Sequence, residues 1–99
     1  MISNINESNF KNFIANNPTC IVMFTGSWCG PCKVAKPKVE VFAKNTGVAT
    51  AYADIDDTQS TAQSFGIMSV PTFVKFENGK PKNTLVGASD DGLRILFGM

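Results

Sequence analysis

Histidine is absent from this sequence. The side chain most often used as a general base near neutral pH, and most often used as a metal ligand, is therefore not on offer. A structural zinc site needs four ligands, usually a second cysteine pair or a histidine pair. Three cysteines and no histidine fall short of that. Long apolar runs are lacking as well. The longest spans residues 20–24, far too short to cross a bilayer. There is no basic surplus: nine Lys and Arg against eight Asp and Glu leave a net charge of +1. Nucleic-acid binding normally needs a more basic surface. The densest cationic stretch is Lys33, Lys36, Lys38 and Lys44, broken by Glu40, and it reads as a solvated helix face. The first ten residues, MISNINESNF, lack the positive start and apolar core of a signal peptide. An odd cysteine count is unlike the even sets of small secreted domains. The expectation is a soluble protein made in a reducing compartment, a monomer by default, with no metal, no cofactor, no membrane and no nucleic-acid partner.

What is present can build a core. Hydrophobic residues make up 43% of the 99-residue chain and charged residues 17%, enough for one domain over residues 1–99. Residues 2–5 suit a short strand. Asn6 or Ser8 can cap a helix that carries Phe10, Phe13 and Ile14 on one face. The apolar run at 20–24 reads as a strand buried on both faces. From Pro31 to about residue 45 the spacing predicts a helix with Val34, Ala35, Val39, Phe42 and Ala43 near one face, kinked at Pro37. Residues 48–55 suit another strand. A short helix capped by Asp57 or Thr58 follows. Asn78-Gly79 between the runs 72–76 and 82–86 is a strong hairpin signal. Ser89 or Asp90 then caps a last helix with Leu93, Leu96 and Phe97. The order βαβαβαββα predicts an α/β fold: a central mixed sheet, mainly parallel with an antiparallel C-terminal hairpin, flanked by helices.

The chemistry concentrates at SWCGPCK, residues 27–33. Pro31 suits a first helical turn, where its missing N–H is not needed. Cys29 then sits at a helix N-terminus, where unpaired N–H groups and the positive end of the dipole favour a thiolate. The thiolate is the nucleophile of disulfide exchange. Cys32, three residues on, lies about 5–6 Å away on the same face. A disulfide across so small a loop does little to constrain an unfolded chain, which weakens a purely structural role. The spacing supports two steps: Cys29 attacks a substrate disulfide, and Cys32 resolves the mixed disulfide. Cys20, in the buried strand, reads as a small hydrophobe. Asp54, Asp56 and Asp57 read as strand-end and capping residues rather than a cation site.

These residues carry a resemblance. Trp28-Cys29-Gly30-Pro31-Cys32-Lys33, with Pro37 in the next helix, Ser69-Val70-Pro71-Thr72-Phe73, the Asn78-Gly79 hairpin and Val86-Gly87-Ala88, resembles the thioredoxin family over nearly the whole chain. The likeness implies a cytoplasmic protein-disulfide reductase with Cys29 and Cys32 as its redox couple, re-reduced by a thioredoxin reductase. It implies a cis Val70–Pro71 bond facing the cysteines. It also implies a substrate-binding surface of Trp28, Gly30, Pro31, Val70, Pro71, Gly87 and Ala88. Without the likeness, core packing for Val70 and turn duty for the glycines serve equally well. Three positions depart from the family. Met23 stands where a buried Asp is usual, Tyr52 where its Lys partner is usual, and Thr25 where a second aromatic is common. These losses leave a second reading: a thioredoxin-like binding module whose redox chemistry is weak or incidental.

Overall fold

A computed structural model describes residues 2–99. The chain runs β1 (Ser3–Ile5), α1 (Phe10–Asn16), β2 (Thr19–Thr25), α2 (Gly30–Thr46), β3 (Ala49–Asp54), α3 (Gln59–Ser64), β4 (Thr72–Glu77), β5 (Lys80–Val86) and α4 (Asp90–Phe97). The strands form one sheet in the order β1-β3-β2-β4-β5. β3 pairs in parallel with β1 and β2, and β4 pairs antiparallel with β2 and β5. The sheet is thus mixed, and its antiparallel part reaches inward to the central strand.

β2 lies in the middle, with both faces covered, which is why its sequence is apolar without alternation. Residues 20–24 are completely buried. Ile21 and Met23 pack with Cys29, Cys32, Ala35, Val39 and Leu93 on one side of the sheet. Cys20, Val22 and Phe24 pack with Phe10, Ala62, Val74 and Phe76 on the other. Phe10 meets Phe76 edge to face at 5.7 Å, and Phe42 stacks on Phe97 at 5.7 Å, joining α2 to α4. Such contacts contribute beyond the area they bury.

Several local expectations shift. The first helix begins at Phe10. Asn6 instead closes the preceding turn, its Oδ1 accepting the backbone N–H of Ser8 at 2.9 Å. α2 carries Pro37 in its interior. Val34 does not share the buried face with Ala35 and Val39: it is 71% exposed. Ala35, Val39, Phe42 and Ala43 are spaced by four, three and one, one stripe of a helix, and Val34 lies about 100° round from Ala35. The hairpin is tighter than expected. Asn78 and Gly79 both have positive φ, 52° and 81°, as a two-residue type I′ turn requires. β5 therefore starts at Lys80. It forms an exposed edge whose Lys80, Pro81 and Lys82 discourage further strand pairing. Ser89 caps α4, its Oγ accepting the Gly92 N–H at 3.0 Å. Among the described residues no helix is long and apolar enough to cross a membrane.

Candidate active site

β2 delivers the chain to the motif and α2 carries it away. The Cys29 N–H donates to the Gly26 carbonyl at 3.0 Å, closing the loop between them. Cys29 is the N-cap of α2, and its sulfur accepts the Cys32 backbone N–H at 3.1 Å. A donor aimed at sulfur, at the positive end of a 17-residue helix, stabilises the thiolate over the thiol. Gly30 and Pro31 form the first turn, where Pro31 has no N–H to leave unpaired. Cys29 and Cys32 are joined as a disulfide, their Cα atoms 5.3 Å apart. Cys29 is 4% exposed and Cys32 is fully buried. One sulfur lies at the lip of the site and the other beneath it.

Val70–Pro71 is cis. The Cys29 sulfur lies 3.8 Å from the Val70 carbonyl oxygen, within reach of a thiol donor when the pair is reduced. Gly87, at φ 84°, takes a backbone shape that favours glycine, and its N–H donates to the Pro71 carbonyl at 2.9 Å. Pro31, Pro71, Gly87 and Ala88 therefore share the walls of one groove, of about 310 Å³. Trp28 is mostly exposed, and its indole lies close against Gly26. A Cβ on Gly26 would stand 2.8 Å from a ring carbon, so only glycine leaves the ring where it is. Gly26 was not among the expected site residues. The one hint is a glycine set between a buried strand and the motif.

Behind the disulfide the core is apolar. Met23 is completely buried, paired in register with Tyr52 on β3 and Phe73 on β4. The Tyr52 hydroxyl donates to Glu40 Oε2 at 3.1 Å. Burial, followed by the neighbouring Glu40 carboxylate, pushes the Tyr52 phenol well above its ordinary range. Lys36 sits over the Tyr52 ring, its Nζ 4.8 Å from the centroid. Cys20 belongs to the cluster on the opposite side of the sheet, and burial pushes its thiol up to about 11. It stays protonated, inert and walled off from the redox pair. Asp54 acts as a turn residue, accepting the Asp56 N–H at 2.9 Å. A second depression, of about 670 Å³, lies by Ile2, Val41, Lys44 and Val48, against the later turns of α2 and away from the disulfide.

Thr25 holds the one buried side-chain polar atom without a partner among the described residues, its Oγ1. An unpaired buried hydroxyl costs about 1–3 kcal/mol. Thr25→Val keeps the shape and removes the group. It should stabilise the fold by about 1 kcal/mol, a rise in melting temperature of about 4–8 °C for a domain of this size. A lower melting temperature would show that the hydroxyl is in fact bonded.

Comparison with known proteins converges. A family model described as Thioredoxin matches residues 1–96. The thioredoxin of Alicyclobacillus acidocaldarius subsp. acidocaldarius is 35% identical over 85 residues, covering 84% of this chain and 81% of that one. Plasmodium falciparum thioredoxin superposes with a TM-score of 0.92 at 31% identity, covering 99% of this chain and 97% of that one. A structure from work on the thiol resolving mechanism in yeast mitochondrial 1-Cys peroxiredoxin aligns with a TM-score of 0.90 at 25% identity, over 98% of this chain and 93% of that one.

Proposed function

The chain belongs to the thioredoxin family, whose members are thiol–disulfide oxidoreductases, and on that premise we propose that it reduces disulfides in other proteins, with Cys29 attacking and Cys32 resolving. The observation that carries this assignment is the Cys32 N–H aimed at the Cys29 sulfur at 3.1 Å, at the mouth of the site. In the reduced protein the Cys29 thiolate attacks one sulfur of a substrate disulfide. That bond breaks, and the other substrate sulfur leaves as a thiolate and takes up a proton. Cys32 then loses its proton and attacks the Cys29 sulfur. The second substrate thiol is released and Cys29–Cys32 remains as a disulfide, with two electrons passed to the substrate. A thioredoxin reductase, itself a dithiol donor, returns the protein to the reduced form.

The docking surface in this reading is Trp28, Gly30, Pro31, Val70, Pro71, Gly87 and Ala88. An extended substrate segment pairs with the backbone at Val70, the residue whose carbonyl already lies beside Cys29. Trp28, mostly exposed and lying against Gly26, offers an apolar flank. A reducing cytoplasm suits this chemistry and the unpaired Cys20 alike, and one copy of the chain holds every group named. The structural neighbour from yeast concerns a 1-Cys peroxiredoxin whose thiol is resolved via glutathione/thioredoxin systems, which favours proteins over small disulfides as targets. The test is catalytic: small amounts of the purified protein should accelerate reduction of a protein disulfide by dithiothreitol. No acceleration, in a folded protein with both thiols reduced, would overturn the reading and favour a binding module.

A further inference from the structure

The groove beside the redox pair has two banks. One is the segment Gly87-Ala88, between β5 and α4, and the other is the face of α2 at Val34 and Lys38. The Gly87 N–H to the Pro71 carbonyl fixes the segment at one end. Lys38 fixes it at the other. Its Nζ donates to the Ala88 carbonyl at 3.0 Å and to Asp90 Oδ1 at 3.0 Å, reaching across 50 and 52 residues of sequence. The Lys38 and Asp90 side chains are 39% and 69% exposed, so their ion pair adds little to stability. The bond to Ala88 has a different character. It is a charge-assisted bond from one wall of the groove to the backbone of the other, and it sets their separation. Asp90 meanwhile offsets the Lys38 charge, so the groove presents mainly the apolar surfaces of Pro31, Val34 and Ala88.

We propose that Lys38 is a positioning residue for substrate docking: by tying Ala88 to α2 it fixes the groove width and thereby selects protein disulfides whose cysteine is flanked by an apolar side chain. The inference rests on the reductase reading above. Lys38 touches neither sulfur, so it acts on binding of the flanking segment and not on exchange.

The test compares Lys38→Met with wild type on a protein disulfide and on bis(2-hydroxyethyl) disulfide, a small neutral substrate that reaches Cys29 without the groove. For the protein substrate KM should rise about fivefold with kcat unchanged, the size expected for one partly exposed charge-assisted hydrogen bond. The small-substrate rate should stay within twofold of wild type, which also shows that the variant is folded and its redox pair intact. Lys38→Arg, which keeps a cationic donor, should recover most of the loss. An unchanged KM for the protein disulfide, or equal losses on both substrates, would overturn the inference while the reductase reading stands. Failure of the wild type itself to turn over the protein disulfide would overturn both.

Discussion

Cys29→Ser should stop reduction of a protein disulfide at the start, and Cys32→Ser should stop it one step later with the substrate still attached. A serine hydroxyl cannot replace the thiolate in exchange, so turnover in the first variant should fall roughly 10³-fold or more, to the rate of the added reductant alone. The second variant keeps the attacking sulfur at the lip of the site and keeps the residue 32 N–H that steadies it. It should accumulate a covalent adduct, visible as a mass increase equal to one substrate chain and removed by excess dithiothreitol. Adduct formed by Cys29→Ser rather than Cys32→Ser would reverse the two roles. The burial of Cys32 bears on the second step as well. Its sulfur is fully enclosed and Met23 behind it supplies no carboxylate to take its proton. Resolution should therefore be the slower step in the wild type, and acid quenching during turnover should trap some mixed disulfide. Complete resolution at neutral pH with nothing trapped would show that the proton finds another route.

The parts of this site that could be read from sequence are those fixed by near neighbours. Cys29 as N-cap, Pro31 in the first turn and Cys32 on the same face follow from one helical turn of chain. The Asn78-Gly79 turn follows from two residues that tolerate positive φ. The fully buried run 20–24 marks a central strand before any partner strand is known. The parts that could not be read depend on contacts across the fold. Lys38 sits among four lysines that look like a solvated face, yet its amine crosses to Ala88 and Asp90. Lys36, two residues earlier, lies over the Tyr52 ring. Val34 has the same chemical character as Val39, and only the stripe set by packing on the sheet decides that one is buried and the other lines a groove. Gly26 is one of eight glycines, and its role appears only when the Trp28 ring is seen lying against it.

Met23→Asp should destabilise the protein by about 3–5 kcal/mol at neutral pH, the cost of an unpaired charge in a packed core. The substitution restores the residue usual in the family without the surroundings it needs. Met23 is completely buried, with Tyr52 and Phe73 beside it in the sheet. The Tyr52 hydroxyl is already committed to Glu40, and the Lys36 amine lies over the Tyr52 ring. The new carboxyl loses the packing of the thioether and meets apolar side chains. Burial disfavours its charged form, so its pKa in the folded protein rises above the unfolded value of about 3.9. The sign of the pH dependence follows. Below about pH 4 the carboxyl is neutral in both states, and the deficit is the smaller one of burying a neutral acid. As pH rises, the unfolded chain loses the proton first, and the deficit grows by about 1.4 kcal/mol per unit until the folded carboxyl ionises too. Urea unfolding of variant and wild type at several pH values from 3 to 8 reads this directly. Adding Tyr52→Lys should recover part of the neutral-pH loss by supplying a cation, a coupling that distant sites would not show. Equal stability of Met23→Asp and wild type at neutral pH would mean that water or a rearranged Lys36 reaches the carboxylate. The thioether at this position would then confer no advantage over the acid it replaces.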